Sequence, residues 1–513
     1  MPGLVCILDF GAQYSQLIAR RIRELGIYSE ILPHDTPWSA LDRRKPQAIV
    51  LTGGPESTLA SEAPDVDAAI LRSGVPVLGI CYGMQLLARH LGGELVKLDR
   101  AEYGPAVLHV DVPASPLLAK VPSASRVWMS HGDSVASLPD GFAALASTER
   151  CTVAAMGDAA RRLYGVQFHP EVAHTEHGRT ILANFLRDIA EVPADWEMGS
   201  FIERSIDEIR ALIGTGRAIC ALSGGVDSAV AATLVARAVG EQLTCIFVDH
   251  GLLRKDEAEQ VVAAFRDVLH LDVRVVDARE RFLEALAGVE DPERKRIIIG
   301  HEFIRIFEEQ ALAISGARFL VQGTLYPDVI ESKTPQSKVG HKIKSHHNVG
   351  GLPEQMNLAL LEPLRALFKD EVRELGRALG LPEAIVRRQP FPGPGLAVRI
   401  VGDVTPERLR IVREADAIVR DEIDAASLDP HPWQYFAVLT PVRSVGVMGD
   451  GRTYANLVAV RAITSEDGMT ADWARLPADL LERISTRIVN EVSGVNRVAY
   501  DITSKPPATV EWE

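Results

Sequence analysis

Ala218-Ile219-Cys220-Ala221-Leu222-Ser223-Gly224-Gly225-Val226-Asp227-Ser228 passes from an apolar strand through two glycines into a helix rich in alanine and valine. Val75 to Ile80, then Cys81-Tyr82-Gly83 and the helix Met84 to Leu91, makes the same passage. Each is a buried parallel strand handing over to a helix through a tight turn, the signature of an α/β layer. Around the Cys81 turn, the first in chain order, the pattern predicts strands Leu4 to Asp9, Ala48 to Thr52 and Leu163 to Phe168, with a helix from Ser15 to Leu25. Around the second it predicts a helix from Ser228 to Val239, strands Leu243 to Val248 and Val273 to Val276, and a helix Lys255 to Leu269 between them. The fold class is therefore α/β, two successive domains with mainly parallel sheets.

A polar stretch with Pro193, Asp195 and Gly199 sets the first boundary, ahead of an amphipathic helix Phe201 to Leu212. Gln389-Pro390-Phe391-Pro392-Gly393-Pro394-Gly395 cannot continue a helix, because each proline lacks a donor and restricts its predecessor; it sets the second. Beyond it helices Pro406 to Glu422 and Ala478 to Glu491 alternate with strands near 435, 455 and 497, a smaller α+β domain. The expected divisions are 1–192, 193–388 and 389–513.

With 513 residues, 47% hydrophobic and 24% charged, the chain belongs to the soluble globular class. A net charge of −14, from 69 acidic and 55 basic residues, argues against a nucleic-acid-coating surface. No stretch approaches the ~20 apolar residues of a membrane helix, and the first strand arrives without a basic leader, so a cytoplasmic protein with no membrane partner is expected. The five cysteines lie far apart with no C-x-x-C pair, which points away from disulfides and from a cysteine-rich zinc site.

Cys81, between Gly79-Ile80 and Tyr82-Gly83, occupies a nucleophile elbow carrying sulfur in place of oxygen. Flanking glycines are needed because β-carbons would collide in so sharp a turn, and the following amide, at Tyr82, faces the reacting atom. Gln167-Phe168-His169-Pro170-Glu171 adds a base and a carboxylate two residues apart, on one face of an extended segment. His169 can hold the thiol proton while Glu171 fixes its tautomer. Gly53-Gly54-Pro55, after a strand, can aim a second amide, that of Gly54, at an oxyanion. Singly, Cys81 reads as a small buried hydrophobe and His169 as a structural histidine; the three features together favour catalysis.

These motifs resemble the class I glutamine amidotransferase family over about the first 190 residues. The resemblance implies Cys81 as nucleophile, His169 as base and Glu171 as its partner, with a thioester intermediate that releases ammonia. It further implies that Gln85 and Asp133, the latter in Ser130-His131-Gly132-Asp133, hold glutamine.

Ser223 to Ser228 lets backbone amides and hydroxyls approach an anion at a helix N-terminus. It lacks the lysine of the G-x-x-x-x-G-K-[ST] loop and resembles the ATP pyrophosphatase (PP-loop) family. That resemblance implies cleavage of ATP between α- and β-phosphates, with Mg²⁺ positioned by Asp227, directly or through water. Downstream, Asp328 and Glu331 place two carboxylates three apart, open to adenine, ribose or metal. Lys344, His346 and His347 lie in a cation-rich stretch ending in Gly350-Gly351, composed as a loop that closes over phosphates or as plain solvated surface.

Over nearly its full length the chain resembles the family of glutamine-hydrolysing GMP synthases, in Phe391 to Leu396, Thr440 to Tyr454 and Asn496 to Glu513 among other stretches. The resemblance implies glutamine, ATP and xanthosine monophosphate (XMP) as substrates and a homodimer paired through the C-terminal region. It assigns Arg296, Gln434, Arg497, Lys505 and Glu511 to XMP, cations to its phosphate and Glu511 to its base. Ala12 and Ala229 stand where that family suggests hydroxyl residues. The competing readings are another ATP-dependent amidating enzyme, such as an NAD synthetase, and a catalytically silent metabolite-binding regulator.

Overall fold

The computed structural model describes residues 3–12, 14–331, 358–448, 451–465 and 470–513. Lys344, His346 and His347 lie outside the described residues, as does the side chain of Glu331. The chain divides into two compact units, Met1–Phe201 and Ile202–Glu513.

The first unit is built on nine strands: β1 (Leu4–Asp9), β2 (Tyr28–Pro33), β3 (Ala48–Leu51), β4 (Val77–Ile80), β5 (Glu94–Val110), β6 (Ala124–Ser137), β7 (Ala143–Ser147), β8 (Ala155–Asp158) and β9 (Leu163–Val166). They form one sheet in the order β2-β1-β3-β4-β9-β8-β7-β5-β6. From β2 to β9 the strands are parallel, and β1, β3 and β4 are covered on both faces, hence the unbroken apolar runs that announced them. From β9 to β6 every pairing is antiparallel, with a long β5–β6 hairpin that the helix–strand alternation did not foretell.

The second unit holds an all-parallel sheet ordered β12-β11-β10-β13-β14, made of β10 (Arg217–Leu222), β11 (Leu243–Asp249), β12 (Val273–Asp277), β13 (Ala317–Val321) and β14 (Ala359–Leu361). The chain winds outward from β10 in one direction through β11 and β12, and in the other through β13 and β14. The crevice of such a sheet opens at that reversal, beyond the carboxyl end of β10. A further sheet pairs β15 (Gln434–Met448) antiparallel with β16 (Gly451–Thr464), flanked by β17 (Asp472–Trp473) and, parallel to β16, β18 (Val495–Asp501).

One apolar core spans both sheets of this unit. Ile219, Ile246 and Phe282 belong to it on one side of the proline-rich segment 389–395, and Leu409, Val458 and Ile484 on the other. The helix Pro406–Ala425 begins with Thr405, whose hydroxyl accepts from the Arg408 amide, and with Pro406 at its first position, where no donor is required.

The last five residues are pinned by cations buried in the fold. Arg461, with no exposed surface, donates to the carbonyls of Val510 (2.9 Å), Thr509 (2.8 Å) and Thr503 (3.0 Å) and to the Asp501 carboxylate (2.6 Å). Lys295, equally buried, pairs with the Glu513 carboxylate and donates to the Ile400 carbonyl at 2.7 Å. Removing one partner of a buried ion pair typically costs about 3–5 kcal/mol. Arg461→Met is therefore expected to lower the urea midpoint of the unit Ile202–Glu513 by an equivalent amount, measured by tryptophan fluorescence.

Candidate active sites

Cys81 follows β4 directly and precedes the helix Tyr82–His90. Its φ of +51° is strained for a residue with a β-carbon and turns the side chain out of the strand–helix line. The turn is held by backbone: the Cys81 amide donates to the Val166 carbonyl (2.7 Å), and the Gly83 amide to Thr52 (3.0 Å). A β-carbon on Gly83 would collide with the Leu51 carbonyl, and one on Gly79 would lie 2.5 Å from Gly83 backbone atoms. Glycine is thus required at both positions because backbone packs on backbone.

His169, after β9, donates from Nδ1 to Glu171 Oε1 at 2.7 Å, both side chains buried. Burial works against charging this imidazole, but hydrogen bonds to Cys81 and Glu171 and the nearby negative charge outweigh it and push the group up to about 10. The imidazole therefore keeps a proton at neutral pH beside the Cys81 sulfur. A β-carbon on Gly53 would sit 3.2 Å from His169 Cε1 and 3.8 Å from the Cys81 β-carbon, which places the Gly53-Gly54 turn against the triad. The Tyr82 amide, first in its helix, has no acceptor one turn back and can donate to a developing oxyanion.

The four remaining cysteines have other surroundings. Burial pushes Cys6 up to about 12 and raises Cys151, while Cys245 is raised first by its hydrogen bond with Cys220 on the neighbouring strand.

Gln85 and Asp133 come together: the Gln85 amide donates to the Asp133 carbonyl at 2.8 Å, and Ser57 donates to the Asp133 carboxylate at 2.5 Å. Residues that motif reading passed over complete the wall. Gln167 Nε2 lies 3.6 Å from Cys81 Sγ, and His131 bridges the Asp133 carbonyl (2.9 Å) and the buried Glu102 (3.1 Å). Glu102 sits on β5, which carries no motif; only its burial reveals it.

The second site opens at the end of β10. Ser223 and Ser228 hydroxyls lie 3.1 Å apart, Ser223 Oγ accepts from the Gly225 amide (3.3 Å), and Ser228 Oγ donates to the Gly225 carbonyl (3.1 Å). The loop is closed on itself, with Gly224 at φ +75°. The helix that begins at Val226 points its N-terminus into a cavity of about 530 Å³, lined by all of Ser223 to Asp227 and by Arg296, Lys369 and Arg388. The dipole and cations suit an anion. Asp227 is held by Lys369 Nζ through both oxygens, at 2.7 and 2.6 Å.

Asp328 does not face this cavity's phosphate end; its carboxylate accepts from the Leu325 amide at 2.9 Å and caps the short helix Tyr326–Glu331. Among the expected acceptor residues, Gln434 Nε2 donates to Glu511 at 2.9 Å, and Arg296 donates to the Glu513 carbonyl at 2.5 Å. Arg497 instead donates to Ser444 Oγ at 3.1 Å, and the Lys505 backbone pairs with Ala471.

Three family models match the chain: glutamine amidotransferase class-I over residues 6–189, thiamine biosynthesis protein (ThiI) over 214–390, and GMP synthase C terminal domain over 421–512. Among full-length relatives, the GMP synthase (glutamine-hydrolysing) of Caldicellulosiruptor saccharolyticus is 58% identical over 99% of both chains. That of Symbiobacterium thermophilum is 60% identical over 99% of both. That of Carboxydothermus hydrogenoformans is 58% identical over the whole of both.

The His169 geometry fixes the sign of a pH effect. A proton bound more tightly in the folded than in the unfolded chain adds stability that is full below about pH 6.5 and drains away as pH rises through about 10. Urea midpoints of the unit Met1–Phe201, taken across that interval, are expected to fall with pH, and Glu171→Gln is expected to move the fall to lower pH.

Proposed function

The chain belongs to the family of glutamine-hydrolysing GMP synthases, and from that membership we propose the division of labour among its residues in glutamine-dependent GMP synthesis. The enzyme is a ligase that hydrolyses glutamine and uses ATP to aminate XMP. Cys81 Sγ, its proton already held by His169, attacks the glutamine amide carbon while the Tyr82 and Gly54 amides receive the negative oxygen. His169 returns a proton to the leaving nitrogen, ammonia departs, and water hydrolyses the thioester to glutamate. Glu171 supports the imidazolium, and Gln85 and Asp133 hold the substrate. The observation that carries this reading is the 2.7 Å contact between His169 and a buried Glu171, set beside a cysteine whose strained turn lifts it from the strand.

At the second site the Ser223–Ser228 loop takes the β- and γ-phosphates of ATP as pyrophosphate while the α-phosphorus bonds to the xanthine 2-oxygen. Ammonia then displaces AMP and leaves GMP. Mg²⁺ fits this loop in one way: it retains most of its water and needs only one or two carboxylates plus phosphate oxygens. No cluster of three ligating side chains occurs among the described residues, and Asp227 supplies the single carboxylate. The ion neutralises phosphate charge when bound, and Lys369, now paired with Asp227, is placed to do the same. Arg296, Gln434, Arg497, Lys505 and Glu511 serve XMP, Lys344, His346 and His347 serve the phosphates, and Asp328 and Glu331 serve adenine, ribose or metal.

The functional divisions proposed are 192/193 and 388/389; the first is supported by a family match ending at 189, and the second lies within two residues of the end of the match over 214–390. A homodimer is supported by Val445, Val447 and Tyr454, exposed apolar residues on the β15–β16 hairpin. A cytoplasmic location is supported by five unpaired cysteines, and no helix among the described residues is long and apolar enough to cross a membrane.

Purified protein given XMP and Mg-ATP, with glutamine or ammonium, is expected to yield GMP, AMP and pyrophosphate in equal amounts. Cys81→Ala is expected to lose synthesis from glutamine entirely and keep the ammonium-driven rate within about twofold, since separate sites add independently. Loss of both activities would refute the separation of the two sites.

A further inference from the structure

A line of charged side chains drawn from five separate stretches runs through the interior of the unit Ile202–Glu513. Arg388 donates to the Gly224 carbonyl at 2.5 Å and contacts Glu257 with its other terminal nitrogen. Glu257 accepts from the Arg254 amide at 2.8 Å. The Arg254 guanidinium lies 3.6 Å from Asp416, and Asp416 lies 3.3 Å from Arg399. Arg399 makes a two-point contact with Glu511, 3.0 Å on each oxygen. The ring of Phe391, from the proline-rich segment, lies under both Arg254 (4.4 Å) and Arg399 (5.2 Å).

The line is costly to bury. Arg254, Glu257, Asp416 and Arg399 are each 3% exposed or less, and Arg254 Nε and Nη2 and Asp416 Oδ2 lack hydrogen bonds. Burial pushes Arg254 and Arg388 down to about 10, opposed at Arg254 by the neighbouring Asp416 carboxylate and reinforced at Arg388 by repulsion from Arg254 and Arg420. Packed apolar residues of similar volume commonly stabilise a fold as well as such ion pairs or better. Stability alone therefore leaves the arrangement unexplained, whereas its two ends have an evident use.

We propose that Arg254 and Asp416 are positioning residues that hold the phosphate loop and the acceptor carboxylate Glu511 in one fixed relation. This rests on the reading that Ser223–Ser228 takes ATP and Glu511 meets the acceptor base. At one end, fixing the Gly224 carbonyl fixes the planar Gly224–Gly225 peptide, and with it the Gly225 amide that donates to Ser223 Oγ in the loop lining the phosphate cavity. At the other, a carboxylate offers about four lone-pair sites. Arg399 fills two and Gln434 a third, which leaves Glu511 oriented with one acceptor for an N–H of a purine base. Adenylation joins a phosphorus held at the first end to an oxygen held at the second, so ångström-scale error between them costs rate.

The test is calorimetric binding on the full-length protein, XMP alone and a non-hydrolysable ATP analogue alone, read for each ligand at the end it does not touch. Arg388→Met is expected to weaken XMP, and Glu511→Gln to weaken the ATP analogue, each by at least about fivefold. The second result is decisive, because removing a negative charge near a polyanion by itself tightens binding. Arg254→Gln is expected to weaken both ligands, and Arg254→Lys to recover part of each. Should Arg254→Gln fail to fold, the two end variants, at partly exposed positions, still decide. Unchanged or tighter ATP-analogue binding by Glu511→Gln overturns the proposal while leaving the reaction assignment intact. A wild-type protein that binds the ATP analogue but not XMP overturns that assignment and the proposal with it.

Discussion

Both reactive sites depend on a strand running into a helix with no room for a side chain between them. At Gly83 the helix backbone lies against the Leu51 carbonyl; at Gly323 a β-carbon would come 3.0 Å from the Asp227 backbone. Each contact presses a helix N-terminus onto the carboxyl end of a parallel sheet, where unpaired amides and the helix dipole meet. One arrangement presents a sulfur and the other an anion cradle, and the difference is made by which residue occupies the strained turn. Cys81 takes a positive φ with a reactive side chain, whereas Gly224 takes it with none and leaves the loop's backbone open to phosphate.

That shared constraint explains which parts were legible in the amino-acid sequence. β1, β3, β4, β10 and β11 are covered on both faces, so their apolar runs are unambiguous, and their turns must carry glycine. The triad and the S-G-G-V-D-S loop sit at those turns and inherit their clarity. β5 obeys no such rule: one face is open, with Val96, Tyr103 and Val107 exposed, and the period blurs. Glu102 and His131, which brace the wall of the cysteine site, lie on that hairpin and leave no local mark. The Glu511 and Gln434 contact emerges from residues 77 apart that only the fold brings together.

The buried arginines were illegible for a different reason. Arg461 falls at an inward position of β16, between Val460 and Ala462, where alternation calls for an apolar residue or marks the strand's outer face. Beside the Asp501 carboxylate, its partners are backbone carbonyls of Thr503, Thr509 and Val510, which have no sequence identity to recognise. Lys295, donating to the Ala397 and Ile400 carbonyls, follows the same logic. Five donors in a planar fork allow one arginine to satisfy several carbonyls of an irregular segment, a task that no apolar side chain performs.

Anchoring an irregular tail by cations has a consequence for the acceptor site. A β-strand or helix satisfies its own backbone, and its side chains are free to point anywhere; a tail satisfied from outside is oriented by whatever satisfies it. Glu511 owes its direction to Arg399, and Arg399 owes its place to Asp416 and to the rings of Phe391 and Phe436. The proline-rich segment, which contributes Phe391 and runs into Arg399 through the turn Gly395–Arg399, is thereby more than a break between helices. It lines the phosphate cavity through Gln389 to Pro394, packs Phe391 against the core that the two sheets share, and brings the cavity and the tail to a single set of ion pairs.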